Sequence, residues 1–454
     1  MRNPPVPRLT LARCWQGFPP TGKPNFRDFD WNSKLFPGNH TDHKSQLTHY
    51  HEDHHVKFGG IRKPRLGNTA LLQMARERGW LLHNTERYYA GRGLNFSKPD
   101  LREWYSQQTR KFLDAGVDYY LDDEGENTFF EFYYWNLAQR EGLDAFDKTR
   151  RLFTISRAWT PGMQRLGATS VWTGDVPVSW QAIRNTPTYM LDWSLAGSSY
   201  VLCDAGGFSG GQAPPALLVR WYQVAALMPI MFTHSAHQLP HFPYLYGQAA
   251  GDAMRAALDL RYSLLPLLYS LAHEQTERGT PITRPMAMHF ADPSLATLDT
   301  QWLLGSSLLV APCLTGENET SHNTTDVHLP ADSSWYTFGR NGKDAPVQAG
   351  PKMLHLTDVP LDAIPMYVAG GSIVVLAPHG LQYSDMLPGG PLQVHIYAGG
   401  DAAFTLYEDV RACSLSGLLP PLKMSCSHRM ARRLRTSRML CAKQLFDGAR
   451  RIES

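Results

Sequence analysis

The chain falls into two textures by its pattern of apolar and polar positions. Through its first two thirds, short apolar runs alternate with longer stretches whose apolar residues recur at helical spacing. Gly116–Leu121 (Gly-Val-Asp-Tyr-Tyr-Leu) predicts a buried strand that follows a helix over 101–115. Arg151–Ser156 predicts a second strand, and Ser199–Cys203 a third after a helix over 182–195. Leu227–Phe232 predicts a fourth after a helix over 216–226, and Val56–Ile61 an earlier strand of the same sheet. Ala253–Glu274 predicts a long helix kinked at Pro266, since proline removes a backbone donor and clashes with the preceding turn. Strand alternating with helix implies a parallel sheet wrapped by helices.

After about Arg284 the texture changes. Short β-like runs alternate with Gly, Asp, Asn and Ser clusters: Ser307–Ala311, Asp326–Leu329, Ser334–Phe338, Met366–Val368, Ser372–Leu376 and Phe404–Tyr407. Such runs predict antiparallel β structure. Beyond Asp409 neither alternation nor an apolar face is present, and no element is predicted.

With 454 residues the chain is long enough for two or three domains, one of which has room for an α/β barrel of about 250 residues. At 43% hydrophobic and 19% charged it can bury real cores. Six cysteines are too few for a disulfide-built scaffold. There is no run of about 18 uncharged apolar residues of the kind that spans a membrane. Met1–Thr10 is polar and Pro-rich, without the apolar core of a secretory signal. The net charge of +3 is local in origin. Arg411–Ser454 carries 10 Lys+Arg against 2 Asp+Glu, and the remainder then holds 34 basic and 39 acidic residues. A mildly acidic body with a basic tail gives no electrostatic footprint for nucleic acid.

In parallel α/β folds the functional side chains sit where strands end. The first predicted strand ends in Asp122, Asp123, Glu124 and Glu126. The second ends in Ser156 and Arg157, followed by a Gly-rich loop holding Trp172-Thr-Gly-Asp175. The third leads to Asp204 before Gly206-Gly207, and the fourth to His234 and His237. Taken singly, each has a plainer role: a helix N-terminus, a salt-bridge partner, a turn, a loop histidine. As an ordered set at successive strand ends they fit glycoside hydrolysis, in which one carboxylate attacks or stabilises an oxocarbenium-like centre and another donates a proton to the leaving oxygen. A flat apolar face and fixed donors for a sugar are available in Trp172, Arg157 and His234. The run His49-Tyr-His51-Glu-Asp-His54-His55 fits no standard metal site and reads as a solvated loop. Asn39, Asn95, Asn318 and Asn323 open sequons that matter only in a secreted protein.

These residues resemble glycoside hydrolase family 31, the α-glucosidase and α-xylosidase family, over about residues 9–409. Gly116-Val-Asp-Tyr-Tyr-Leu-Asp-Asp-Glu-Gly-Glu126 is similar to the family's nucleophile segment, and Ile155-Ser-Arg157 with Trp172-Thr-Gly-Asp175 to its acid/base segment. Cys203-Asp-Ala-Gly-Gly-Phe208 and Pro229–His234 are similar to its sugar-binding segments, and Gln301–Pro312 and Ala363–Ile373 to its linker and proximal β domain. The resemblance implies Asp123 as nucleophile and Asp175 as proton donor. It places Arg157, Trp172, Asp204 and His234 around the sugar, with Glu124 and Phe208 among the substrate-binding residues. The implied fold is α/β: a (β/α)8 TIM-type barrel, incomplete at its N-terminus, followed by antiparallel β-sandwich domains. The expected bounds are 1–285 for the barrel, 286–380 for the proximal β domain, 381–410 for the start of a distal one and 411–454 for the tail. The implied activity is that of a retaining α-glucosidase acting on a carbohydrate partner, with no metal or organic cofactor. An α-xylosidase or another α-glycosidase is the alternative within the family, and an inactive sugar-binding remnant the alternative outside enzymes. Two departures stand out: the family's N-terminal β-sandwich and first barrel strand have no counterpart, and Ala12 occupies the place of a sugar-binding Asp in Leu9–Gly17, which resembles the second barrel strand.

Overall fold

The computed structural model describes residues 29, 47–67, 69–83, 92–126, 128–236, 240–316, 323–339, 348–387, 390–408 and 422–426. Leu9–Gly17 with Ala12, the residues Asn39, His237 and Asn318, and most of the basic tail lie outside them. By its internal packing the chain parts between Trp172 and Thr173 into two units.

The unit that ends at Trp172 is an alternating α/β body. Its elements are β1 (Gly59–Arg62), α1 (Thr69–Glu77), α2 (Pro99–Asp114), β2 (Tyr119–Asp122), α3 (Glu131–Phe146), β3 (Phe153–Ser156) and β4 (Ala168–Trp172). The four strands are parallel and lie in sequence order, with Gly60 opposite Tyr120, Tyr120 opposite Thr154 and Ile155 opposite Ser170. Helix α2 opens on Pro99, which suits a first turn because its missing N–H has no intrahelical partner anyway. Helices α2 and α3 meet closely where Gly142 faces Ser106, and the Ser106 hydroxyl donates to the Ala138 carbonyl (2.6 Å). The core beneath is aromatic: Phe58, Trp80, Phe96, Tyr105 and Trp135 are fully buried or nearly so.

Strand β4 corrects the expectation that Trp172 belongs to a loop. Its first residues, Ala-Thr-Ser, carry no apolar signal, yet Thr169 and Ser170 are buried. The Ser170 hydroxyl is satisfied by the Thr154 carbonyl at 2.6 Å. A polar residue bonded within the sheet leaves no trace in a hydrophobic pattern.

The second unit begins with α4 (Trp180–Leu195), β5 (Val201–Leu202), α5 (Pro215–Ala226), α6 (Gln248–Ser263) and α7 (Leu265–Arg278). Ser179 caps α4 by accepting the Ala182 N–H (3.1 Å). The predicted helix over 253–274 is two helices that break at Leu264, just before Pro266. The strand predicted over Leu227–Phe232 is not formed. Pro229 has no N–H to give a ladder. The Arg261 guanidinium of α6 also takes the carbonyls of Ala226 (3.3 Å), Met228 and Pro229 (2.6 Å). The segment keeps single main-chain bonds instead, Ile230 to Val201 and Ala205 to Phe232.

After β6 (Thr283–Arg284) the structure is antiparallel, as expected. Its strands are β7 (Trp302–Leu304), β8 (Leu308–Val310), β9 (Thr325–Leu329), β10 (Ser334–Thr337), β11 (Gln348–Ala349), β12 (Lys352–Leu356), β13 (Met366–Ala369), β14 (Ser372–Leu376), β15 (Gln393–Tyr397), β16 (Ala402–Leu406) and β17 (Leu422–Cys426). Six form one sheet in the order β11-β10-β13-β8-β7-β6, and β9 with β12 forms a separate pair. Leu303, Leu309, Trp335 and Tyr367 from the sheet and Val327 and Leu329 from β9 share one buried cluster, which is the packing of a sandwich. Strand β17 lies in the tail for which no element was predicted, and it pairs with β16 from Ala402↔Cys426 to Leu406↔Leu422. Among the described residues no helix is long and apolar enough to cross a membrane.

Candidate active site

The expected site residues divide evenly between the two units. Asp123, Glu124, Arg157 and Trp172 belong to the first, and Asp175, Asp204, Phe208 and His234 to the second.

In the first unit Asp123 follows directly on the last residue of β2 and is 6% exposed. Its N–H donates to the Arg62 carbonyl at the end of β1 (3.0 Å), and the Arg157 N–H donates to the Asp122 carbonyl (3.0 Å). The main chain therefore fixes the strand ends before any side chain acts. Arg157 pairs through Nη1 with Asp123 Oδ1 (3.1 Å) and through Nε with Glu126 (2.8 Å), and its guanidinium lies 5.2 Å from the centre of the buried Trp172 ring. Burial raises the Glu126 carboxyl above the ordinary range, opposed by Arg157. Two cations that sequence reasoning did not single out complete the cluster. Lys63 Nζ pairs with Asp123 Oδ2 and with Glu124 Oε1 (2.6 Å), and Arg65 pairs with Glu124 Oε2. The signal for them was Arg62-Lys-Pro-Arg65 directly after the predicted strand Val56–Ile61, a strand end that carries no carboxylate.

Asp122, expected at the same rim, points the other way, because successive strand residues face opposite sides. It is fully buried and accepts hydrogen bonds from Gln139 (2.7 Å) and Asn136 (3.3 Å) of α3. Burial pushes its carboxyl up to about 7, against the pull of the Gln139 hydrogen bond and the Arg62 charge. A carboxyl whose folded pKa is raised binds its proton more tightly in the native state. The cost to stability is absent below about pH 4, grows as pH rises and is complete above about 7, at about 4 kcal/mol. Asp122→Asn keeps the shape, and once the Gln139 side-chain amide turns over, its Oε1, which has no hydrogen-bond partner among the described residues, accepts the new amide N–H. We expect Asp122→Asn to raise the melting temperature by several degrees at pH 8 and to leave it nearly unchanged at pH 4.5. Equal shifts at both pH values would refute this.

In the second unit three loops are laced together by main-chain bonds. Phe208 N–H donates to Val176 (2.7 Å), Val178 to Ser209 (2.7 Å), Ala205 to Phe232 (3.2 Å) and Ala236 to Phe208 (2.8 Å). The lacing gathers Asp175, Asp204, Phe208 and His234 onto adjoining loops. Asp175 is exposed on a bend after Gly174, whereas Asp204 is fully buried. Gly207 sits at φ +86° with Val178 so close that a Cβ would come within 2.6 Å of its Cα, so glycine is required there. The Phe208 and His234 rings stack at 5.0 Å and 27°.

The His-rich run settles into ordinary hydrogen bonds: His49 to Asp53, His54 to His49 (3.2 Å) and His51 to Asp118 (2.8 Å). Among the described residues no group of three or more His, Cys, Asp or Glu is arranged to hold a metal.

Comparison with known proteins identifies the family. Residues 13–271 match the glycosyl hydrolases family 31 TIM-barrel domain, and residues 279–374 match the glycosyl hydrolase family 31 C-terminal domain. The chain belongs to glycoside hydrolase family 31, with the TIM-barrel domain followed by the C-terminal β domain of that family. It is 35% identical over 283 residues to a probable glucan 1,3-alpha-glucosidase of Arabidopsis thaliana, covering 61% of this chain and 29% of that protein. It is 31% identical over 333 residues to neutral alpha-glucosidase AB of Dictyostelium discoideum, covering 65% of this chain and 33% of that protein. The chain thus spans about a third of the length of these relatives. Among solved structures it resembles the family 31 dextranase of Flavobacterium johnsoniae complexed with glucose, with a TM-score of 0.76, 24% identity and coverage of 85% of this chain and 51% of that one. It also resembles the family 31 alpha-xylosidase of Xanthomonas citri, with a TM-score of 0.74, 24% identity and coverage of 85% and 46%. At that identity the likeness to the solved structures speaks for the fold.

Proposed function

We propose that the chain carries the catalytic apparatus of a retaining α-glucosidase that releases terminal α-linked glucose from oligosaccharides or glycosides. The observation that carries this reading is Asp123: a buried carboxylate at a strand end, ion-paired on one oxygen by Arg157 and on the other by Lys63. Asp123 attacks the anomeric carbon and the leaving oxygen takes a proton from Asp175, giving a covalent glycosyl-enzyme. Asp175 then accepts a proton from water, which attacks the same carbon, breaks its bond to Asp123 so that the carboxylate leaves, and restores the original configuration. Exposure of Asp175 suits an acid that must meet both a leaving group and incoming water. Trp172 and Arg157 offer a flat apolar face and fixed donors, and Asp204 and His234 offer further hydrogen bonds to hydroxyls. The α-glucosidase names of the curated relatives favour glucose as the glycone. The scheme uses no metal and no organic cofactor.

The test is glucose release from an aryl α-glucoside, with Asp123→Asn as the blank. Release above the blank is expected. Release from the matching α-xyloside alone would reassign the glycone. Saturable glucose binding in calorimetry without any release would mark a sugar-binding protein instead.

A further inference from the structure

Glu124, the residue after the proposed nucleophile, has φ 61°. An L residue held in this left-handed region is strained, and such strain persists only where the surroundings over-determine it. Here the surroundings are two cations from the segment that leaves β1. Lys63 holds one oxygen of the Glu124 carboxylate and Arg65 the other, and these side chains are only 13% and 11% exposed. Solvent and salt therefore weaken the pairs little. The same segment holds Asp123 twice, through the Arg62 carbonyl and through Lys63.

We propose that Lys63 and Arg65 are positioning residues for the glycosidase reaction: by pinning Glu124 in its left-handed conformation they aim the Asp123 carboxylate at the anomeric carbon. The inference rests on Asp123 being the nucleophile. The left-handed residue turns the chain sharply just past β2 and so sets the direction in which Asp123 leaves the strand. Lys63 on one oxygen and Arg157 on the other then fix the carboxylate plane. Without Lys63 the carboxylate can swing and Glu124 can relax toward ordinary backbone. Attack geometry is lost, while Trp172, Asp204 and His234, proposed to contact the sugar, are untouched.

The experiment measures kcat, KM and melting temperature for Lys63→Met, Lys63→Arg and Glu124→Gly with an aryl α-glucoside. Misplacing a reacting group by about 1 Å can cost up to about a hundredfold. Lys63→Met is expected to lower kcat at least about tenfold with KM within about twofold, and Lys63→Arg to recover to within about threefold of the parent chain. Glu124→Gly removes the strain together with its anchor. It is expected to lose at least about tenfold in kcat whichever way its melting temperature moves, since released strain and the lost pairs with Lys63 and Arg65 act on stability in opposite directions. If Lys63→Met or Glu124→Gly turned over at the parent rate, or if the loss in Lys63→Met were not restored by arginine, the inference would be overturned and the glycosidase reading would stand. A folded parent chain inert toward both α-glucoside and α-xyloside would overturn that reading and this inference with it.

Discussion

Asp123→Asn is expected to lower kcat by on the order of 10^4-fold or more, the scale seen when the central member of a catalytic unit is removed. The amide matches the carboxylate in shape and cannot form a glycosyl ester. The fold should survive, because Lys63 keeps its pair with Glu124 and Arg157 keeps its pair with Glu126. Loss of rate with an unchanged melting curve would therefore report chemistry. A small external anion such as azide, supplied at high concentration, should enter the space left by the lost charge and attack the same carbon. With an activated aryl α-glucoside it should then give a glycosyl azide of inverted configuration, visible by NMR of the anomeric proton. If Asp123→Asn hydrolysed the glucoside within about tenfold of the parent rate, Asp123 would not be the nucleophile.

Arg220→Met is expected to cost about 1–3 kcal/mol of stability, because the carbonyl of buried Val359 loses its donor, whereas the Pro360 carbonyl keeps the Ala363 N–H. Arg220 is fully buried on α5. Its guanidinium donates to the carbonyls of Val359 (2.8 Å), Pro360 (3.2 Å) and Ala363 (3.0 Å) and to the Gln223 side chain (3.0 Å). Gln223 completes the strap by donating to the Leu361 carbonyl (2.7 Å). Methionine replaces the aliphatic stem and none of the donors, so the loss measures the hydrogen bonds and not a cavity. Arg220→Lys should fall between the two, since one ammonium cannot reproduce the planar spread of a guanidinium. Chemical denaturation reads the difference directly, and a loss below about 1 kcal/mol would contradict this account.

Much of the first unit was legible because apolar strand cores and amphipathic helices write themselves into hydrophobic spacing. Tyr119–Asp122 and Phe153–Ser156 lie where the pattern placed them. The failures share one physical cause: polar groups satisfied inside the protein look like surface in a sequence. Strand β4 was hidden by Ala168-Thr-Ser170. Helix α3 was hidden by Glu131, Asn136 and Gln139, all buried. The false strand at Leu227–Phe232 is the converse, an apolar run whose Met228 and Pro229 carbonyls were claimed by Arg261, 33 and 32 residues away in sequence. In the site, Asp123, Arg157 and Trp172 were found by family resemblance and do lie together. Asp122 was grouped with them by adjacency, although strand alternation turns it into the interior. Lys63 and Arg65 escaped notice because nothing in a charge run announces which carboxylate it will meet.

The pairing of β16 with β17 bears on how the protein can be handled. The family models end at Ile373-Val374, and the wider resemblance ends at Asp409, so a shortened chain would naturally be cut there. Such a cut removes Leu422–Cys426 and with it the sheet partner of Ala402–Leu406 among the described residues. Ala402 and Leu406 are also rooted in a buried cluster with Ile373 and Val375, so the stripped strand would stay in place with a row of bare N–H and C=O groups. An open edge of that kind recruits strands from neighbouring molecules. A chain ended at Asp409 is therefore expected to associate edge to edge through Ala402–Leu406, the strand that Leu422–Cys426 covers.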